Sequence, residues 1–161
     1  MLVIRLAAPG DAEAIWSILE PVIRAGDTYT LPQDLTREAA LAYWFSEGQE
    51  VFVADEDGRV LGTYYLRTNQ RGGGSHVANC GYMTSETARG RGIAQAMCAH
   101  SLQAARERGF TAMQYNFVVS SNDGAVRLWR RNGFEIVGRL PKAFRHPKLG
   151  YVDAYVMFRE L

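Results

Sequence analysis

The stretch from Val77 to Arg108 constrains this chain more than any other. Val77–Thr84 is apolar and reads as a strand. Ser85–Gly92 is a turn rich in glycine and arginine. Ile93–Arg108 then reads as a helix with Ile93, Ala94, Met97, Cys98, Leu102 and Ala105 on one face, and Gly109 stops it. A strand that feeds directly into a helix leaves the first helical N–H groups without intrahelical partners. They converge on one spot, and the helix dipole makes that spot positive. Gly90 and Gly92 have no Cβ, so an anion can reach the main chain there. Arg89 and Arg91 add charge suited to phosphate. The stretch Arg89–Ala94 therefore reads as a cradle for a diphosphate. It lacks the Gly-Lys-Ser/Thr ending of a P-loop, and Gln95 stands where a dinucleotide fingerprint needs its third glycine.

The rest of the chain sets this unit in a mixed sheet. Leu2–Leu6 reads as a strand, and Ala8-Pro9-Gly10-Asp11 opens a helix carrying Ile15, Ile18, Leu19, Val22 and Ile23. Pro21 is expected to kink or end that helix. Gly26–Pro32 is a loop, and a second helix starts at Thr36 and ends near Gly48. Val51–Ala54 and Val60–Arg67 form a hairpin across Asp55-Glu56-Asp57-Gly58. Arg71–Ser75 is a flexible loop. Ala112–Val119 is a fifth strand, Ser121–Arg131 a helix, and Phe134–Val137 and Tyr151–Arg159 are closing strands. Hairpins early and crossovers late imply an α/β (α+β) fold, with a mixed sheet of about seven strands and helices on both faces. With 161 residues and no linker, repeat or low-complexity tract, the expectation is one domain over residues 1–161.

Charge narrows the partners. Lys plus Arg is 18 against 17 Asp plus Glu, a net +1, so nothing calls for nucleic acid or an anionic membrane. No run of ~18 apolar residues and no signal-peptide pattern appears, so a cytoplasmic location is expected. Cys80 and Cys98 lie in apolar segments and read as small buried hydrophobes. His76, His100 and His146 lack metal-ligand spacing, so no metal is indicated.

Arg89-Gly90-Arg91-Gly92-Ile93-Ala94 resembles the Gln/Arg-x-x-Gly-x-Gly/Ala signature of the GNAT superfamily of N-acetyltransferases. The segment Ser121–Ala125, with Leu128-Trp129-Arg130-Arg131-Asn132-Gly133-Phe134 after it, is similar to the family's second motif, Asn-x-x-Ala…Leu-Tyr-x-x-x-Gly-Phe. The order of elements agrees along nearly the whole chain. The resemblance implies a GNAT-like fold with a splay between the fourth and fifth strands, where acetyl-CoA lies. It implies that Arg89, Gly90, Arg91, Gly92, Ile93 and Ala94 hold the pyrophosphate. Tyr82, Met83 and Thr84 would pair with the pantetheine arm, a backbone N–H near Met83 would polarise the thioester carbonyl, and Asn122 would contact the arm or cap its helix.

The implied reaction is direct attack of an amine on the thioester. A free amine has a pKa near ~10, so a base is required, and Glu86 is the candidate by position. Trp129 replaces the motif's usual Tyr, which removes the family's common acid for the leaving thiolate. Tyr115 and Tyr82 are substitutes, although a thiol with pKa near ~8.5 leaves readily without strong help. Asn79 and Asn116 are amides inside strands, where Asn is disfavoured, so each is tied to backbone or aimed at a ligand. With Asn122 they resemble the pattern of a GNAT branch that acetylates small amino acids and proline analogues. The expected acceptor is therefore a small-molecule amine, with Tyr29, Thr30 and Trp44 shaping its pocket beside Asn79 and Asn116. The alternatives are a protein N-terminal or lysine acetyltransferase, or a non-catalytic acyl-CoA sensor. Homodimers are common in the superfamily, and a homodimer here is an expectation by that analogy.

Overall fold

In the computed structural model, which describes all residues from Met1 to Leu161, seven strands form one sheet in the order β1-β2-β3-β4-β5-β7-β6. The strands are β1 (Leu2–Leu6), β2 (Glu50–Glu56), β3 (Arg59–Thr68), β4 (Val77–Thr84), β5 (Ala112–Val119), β6 (Glu135–His146) and β7 (Gly150–Glu160). The helices are α1 (Ala12–Ala25), α2 (Arg37–Trp44), α3 (Ile93–Glu107) and α4 (Asp123–Arg131). Every neighbouring pair is antiparallel except β4 with β5. The parallel pair is the one that α3 joins, as a crossover requires.

Two apolar layers sandwich the sheet. On one face Ile15, Ile18, Leu19 and Ile23 of α1 and Ala40 and Trp44 of α2 pack on Val51, Val53, Tyr65 and Met83. On the other, Ile93, Met97, Cys98, Leu102 and Ala105 of α3 and Leu128 and Trp129 of α4 pack on Tyr64, Ala78, Cys80, Met113 and Tyr115. The six α3 positions read as a stripe thus include five core residues, and Ala94 borders the same core. The alternation of strand side chains assigns Tyr65, Asn79, Gly81, Met83 and Gln114 to the α1/α2 face.

Two expected boundaries are corrected, and one of the two alternatives for Pro21 is removed. Pro21 does not end α1, which continues to Ala25 and closes on Gly26 in the left-handed conformation. The missing N–H forfeits one bond to the Ser17 carbonyl. Apolar packing on both sides of it, by Ile15, Ile18, Leu19 and Ile23, keeps the helix together. α2 ends at Trp44 rather than near Gly48, because Gln49 Nε2 donates to the Tyr43 and Trp44 carbonyls at 3.2 and 2.8 Å and closes the last turn. β6 is far longer than Phe134–Val137. Two register shifts against β7 and a positive φ of 52° at Lys142 break the alternation by which a strand is read. The hairpin turn is held by His146, whose Nδ1 accepts from the Lys148 and Leu149 N–H groups at 3.0 and 3.1 Å.

Candidate active site at the β4–β5 fork

The parallel β4–β5 pairing covers only Val77↔Ala112 and Ala78↔Met113. Beyond Ala78 the strands part, and a cavity of about 730 Å3 runs through the opening. At one end it meets Thr84, Glu86, Arg89, Ala94, Asn122 and Trp129; at the other it meets Asp27, Thr28, Tyr29, Thr30, Arg67 and Asn79. The single opening thus reaches from the start of α3 to the α1/α2 face.

At the first end the chain folds as its glycines dictate. Gly90 and Gly92 take φ of 76° and 78°, the left-handed region that L side chains seldom adopt. Ala96 N donates to Gly92 O at 3.0 Å and begins the α3 ladder. No N–H from Arg89 through Gln95 donates to any acceptor of the chain. These are orphan donors at a positive helix end, and a Cβ built on Gly90 or Gly92 meets nothing within 4 Å. The donor set fits a diphosphate: several N–H groups, open approach and a nearby guanidinium. The two arginines differ. Arg89 borders the cavity, whereas Arg91 donates to Glu56 of β2 at 2.6 Å and ties the turn to the sheet. Ile93 directs its side chain into the core and leaves only its N–H at the turn. Asn122 accepts from Ala125 N at 3.4 Å as the cap of α4 and also borders the cavity, so capping and a ligand contact are compatible.

Tyr82 and Tyr115 lie under the fork, in contact with Trp129 at ring-centroid distances of 4.9 and 4.8 Å. Their hydroxyl protons are already committed. Ser101 Oγ donates to Cys98 O at 2.7 Å, so its oxygen must accept from the Tyr82 hydroxyl at 2.6 Å. The Tyr82 oxygen then accepts from Tyr115 at 2.8 Å. Burial pushes both phenols well above their usual values. Both rings border the cavity, while their hydroxyls bond to each other and, through Tyr82, to Ser101. Cys80 borders the cavity too, and burial pushes its thiol up to about 12. At neutral pH it is no thiolate nucleophile.

At the other end, Tyr29 donates its hydroxyl to Tyr82 O at 2.9 Å and fastens the loop after α1 onto β4. Thr30 borders the cavity beside it. Tyr65 lies across β4 where Gly81 leaves room: a Cβ on Gly81 would stand 2.5 Å from the Tyr65 ring. Trp44 does not reach the cavity. It is fully buried, with its indole N–H donating to Thr63 Oγ1 at 3.0 Å, so it supports the pocket from beneath. Asn79 Nδ2 donates to Gln114 O at 2.9 Å, and Asn116 is bonded to Asn69 and Gln114. Arg67 and Asp27 carry no signal in the sequence, since an Arg at a strand end and an Asp in a loop look like ordinary surface. Arg67 pairs in register with Asn79 and donates only to its neighbour's carbonyl, Thr68 O. No group of three or more His, Cys, Asp or Glu side chains converges anywhere in the structure. His100 instead bonds Tyr64 through Nδ1 at 2.7 Å, with burial lowering its pKa. No helix is long and apolar enough to cross a membrane.

A mixed sheet forked at its one parallel pair, with an amide-lined turn at the open end, defines the class: an acyltransferase of the N-acetyl type. Residues 14–134 match the model of the acetyltransferase (GNAT) family, and the chain belongs to that family. The L-amino acid N-acetyltransferase AaaT of Escherichia coli is 31% identical over 161 residues, covering 98% of this chain and 97% of the relative. The structure of a GCN5-related N-acetyltransferase from Kribbella flavida superposes with a TM-score of 0.94 at 40% identity, covering 99% of this chain and 98% of the other. A GNAT superfamily phosphinothricin acetyltransferase from Sinorhizobium meliloti, solved in complex with AcCoA, superposes at 0.85 and 24% identity, covering 99% and 88%. At that identity the likeness is one of fold.

Proposed function

We propose that this enzyme transfers the acetyl group of acetyl-CoA to the amine of a small amino acid or analogue, by direct attack. One observation carries the reading. A single cavity is bordered by Arg89 and Ala94 of the α3 turn and by the cation of Arg67, the neutral amides of Asn79 and Asn116 and the carboxylate of Asp27. A free amino acid carries both charges on one Cα and suits that pairing, whereas in a peptide the α-carboxyl beside the terminal amine is spent in an amide bond. The Escherichia coli relative, by its name an L-amino acid N-acetyltransferase, supports the acceptor class, and the Sinorhizobium complex supports the cosubstrate.

Acetyl-CoA, when bound, supplies an electrophilic carbonyl and a thiol leaving group. The residues of this chain do the rest. The N–H groups of the Arg89–Gln95 turn hold the diphosphate, and the main chain of Tyr82–Thr84 along the open edge of β4 orients the arm. Arg67 and Asn79 hold the acceptor on the α1/α2 face. Glu86, in the lining of the same cavity, takes the amine proton directly or through water. Catalysis then rests on placing a neutral amine against an electrophile. Cys80, held as a thiol, forms no acyl-enzyme.

A thiol-release assay with acetyl-CoA against free amino acids, amino-acid analogues, peptides and simple amines tests the proposal. Turnover is expected with free amino acids and falls when their carboxylate is amidated. Turnover of peptides without turnover of free amino acids would reject it.

A further inference from the structure

Four hydrogen bonds close a ring around the base of the fork. Asn69 N, just past β3, donates to Val77 O of β4 at 2.8 Å. Asn116 Nδ2 of β5 donates to Asn69 Oδ1 at 2.7 Å. Gln114 Nε2 donates to Asn116 Oδ1 at 2.9 Å. Asn79 Nδ2 of β4 donates to Gln114 O at 2.9 Å. The ring thus leaves β4 at Val77, passes through the end of β3 and two residues of β5, and returns to β4 at Asn79. It encircles the position where main-chain pairing of β4 with β5 stops, one residue beyond Ala78↔Met113.

The ring ties the orientations of its side-chain amides to one another. Asn116 points Nδ2 at Asn69 Oδ1 and Oδ1 at Gln114 Nε2, so these three amides keep or reverse their sense together, whereas Asn79 faces a main-chain carbonyl. Asn79 must present Nδ2 to a carbonyl, so its Oδ1 faces away from Gln114. Asn79 borders the cavity, and its Oδ1 has no partner within the chain. Asn69 and Asn79 are buried to 9% and 8% residual exposure, so errors in pairing would be costly there.

We infer that this amide ring sets the width of the fork and aims Asn79 Oδ1 as a fixed hydrogen-bond acceptor at the incoming amine, with Asn116, Gln114 and Asn69 acting as positioning residues. The inference rests on the proposed acceptor reading for its kinetic consequence. Asn116 and Asn69 touch no reacting atom in this scheme; they act through Gln114 and Asn79.

Two variants of Asn69 provide the test. Asn69→Asp keeps an acceptor facing Asn116 Nδ2 and preserves the ring, whereas Asn69→Leu keeps the volume, removes that acceptor and breaks the ring. Asn69→Leu is expected to raise KM for the amine about tenfold, the equivalent of one hydrogen bond, with KM for acetyl-CoA within about twofold of wild type. Asn69→Asp is expected to stay within about threefold on both. A purely space-filling role would leave Asn69→Leu at the wild-type KM for the amine, and that result overturns the inference. A second readout needs no acceptor: solvent exchange of the Asn79 side-chain NH2 protons, followed by NMR, should be slow in wild type and Asn69→Asp and fast in Asn69→Leu. Should wild type turn over no amino acid, the acceptor reading fails, while exchange still decides the ring. Equal exchange in the two variants, or fast exchange in wild type, refutes it.

Discussion

Replacing Gly92 by alanine separates the cradle from the fold that carries it. Gly92 sits at φ 78° and ψ 14°, and an added Cβ meets nothing within 4 Å. No packing is disturbed, so the cost to folding is the left-handed conformation alone, about 1–2 kcal/mol for an L residue. For a chain of this size that lowers Tm by roughly 2–8 °C. The cost to the coenzyme is separate. The methyl group stands in the concavity where orphan N–H groups meet a diphosphate, and each such charge-assisted bond is worth about 1.5–3 kcal/mol. Loss of one raises KM for acetyl-CoA roughly 10- to 150-fold. The kcat changes little, because the turn binds a part of the cosubstrate remote from the thioester. Initial rates of thiol release against acetyl-CoA at saturating amine, with Tm by calorimetry, measure both effects. Gly109→Ala is the control. Gly109 has φ 83° and equally open surroundings but stands just past the far end of α3, so it carries the strain without the cradle. If the two variants lose the same Tm and show the same KM for acetyl-CoA, the cradle assignment is refuted.

Other perturbations test other parts. Arg89→Ala should raise KM for acetyl-CoA several-fold, with the effect shrinking as salt rises, whereas Arg91→Ala, which breaks only the exposed pair with Glu56, should cost about 0–1 kcal/mol of stability and little kinetically. Trp44→Phe removes the indole donor from buried Thr63 and should lose about 1–3 kcal/mol by urea titration while KM for the amine stays near wild type. Asp11 has its pKa lowered chiefly by the hydrogen bonds from Arg5, so its contribution is full above the unfolded carboxylate value near ~3.9 and is lost as pH falls through the lower folded value. Asp11→Asn should therefore flatten the acid limb of a stability–pH curve; an unchanged limb would sink that assignment. In native protein at pH 8 a disulfide reagent should leave both thiols unmodified, since burial holds Cys80 near about 12 and Cys98 near about 11, and should label both after unfolding.

Local signals were read well and long-range ones poorly. The α3 stripe, the Asp-Gly hairpin and the turn before Ile93 each depend on residues adjacent in sequence, and each forms as expected. Pro21 does not end α1, because packing on both sides of it holds the helix together. The β6–β7 hairpin was underestimated because its register shifts erase alternation. Trp44 was assigned to the pocket as an aromatic in the right region, but its face of α2 turns into the core. Tyr115 has the right chemistry for an acid, and only the fold brings its hydroxyl within 2.8 Å of that of Tyr82, 33 positions away.

The proposed diphosphate cradle belongs to the sequence itself, because a strand, two glycines and a helix start within one short stretch fix both the orphan donors and the room in front of them. The proposed acceptor end belongs to the tertiary structure. Asn69 meets Asn116 across 47 positions, Asn79 meets the Gln114 carbonyl across 35, and Tyr29 meets β4 across 53. No periodicity or turn rule links residues so far apart. Sheet order and register bring them together, and only the folded sheet decides which amides face one another and which face the opening.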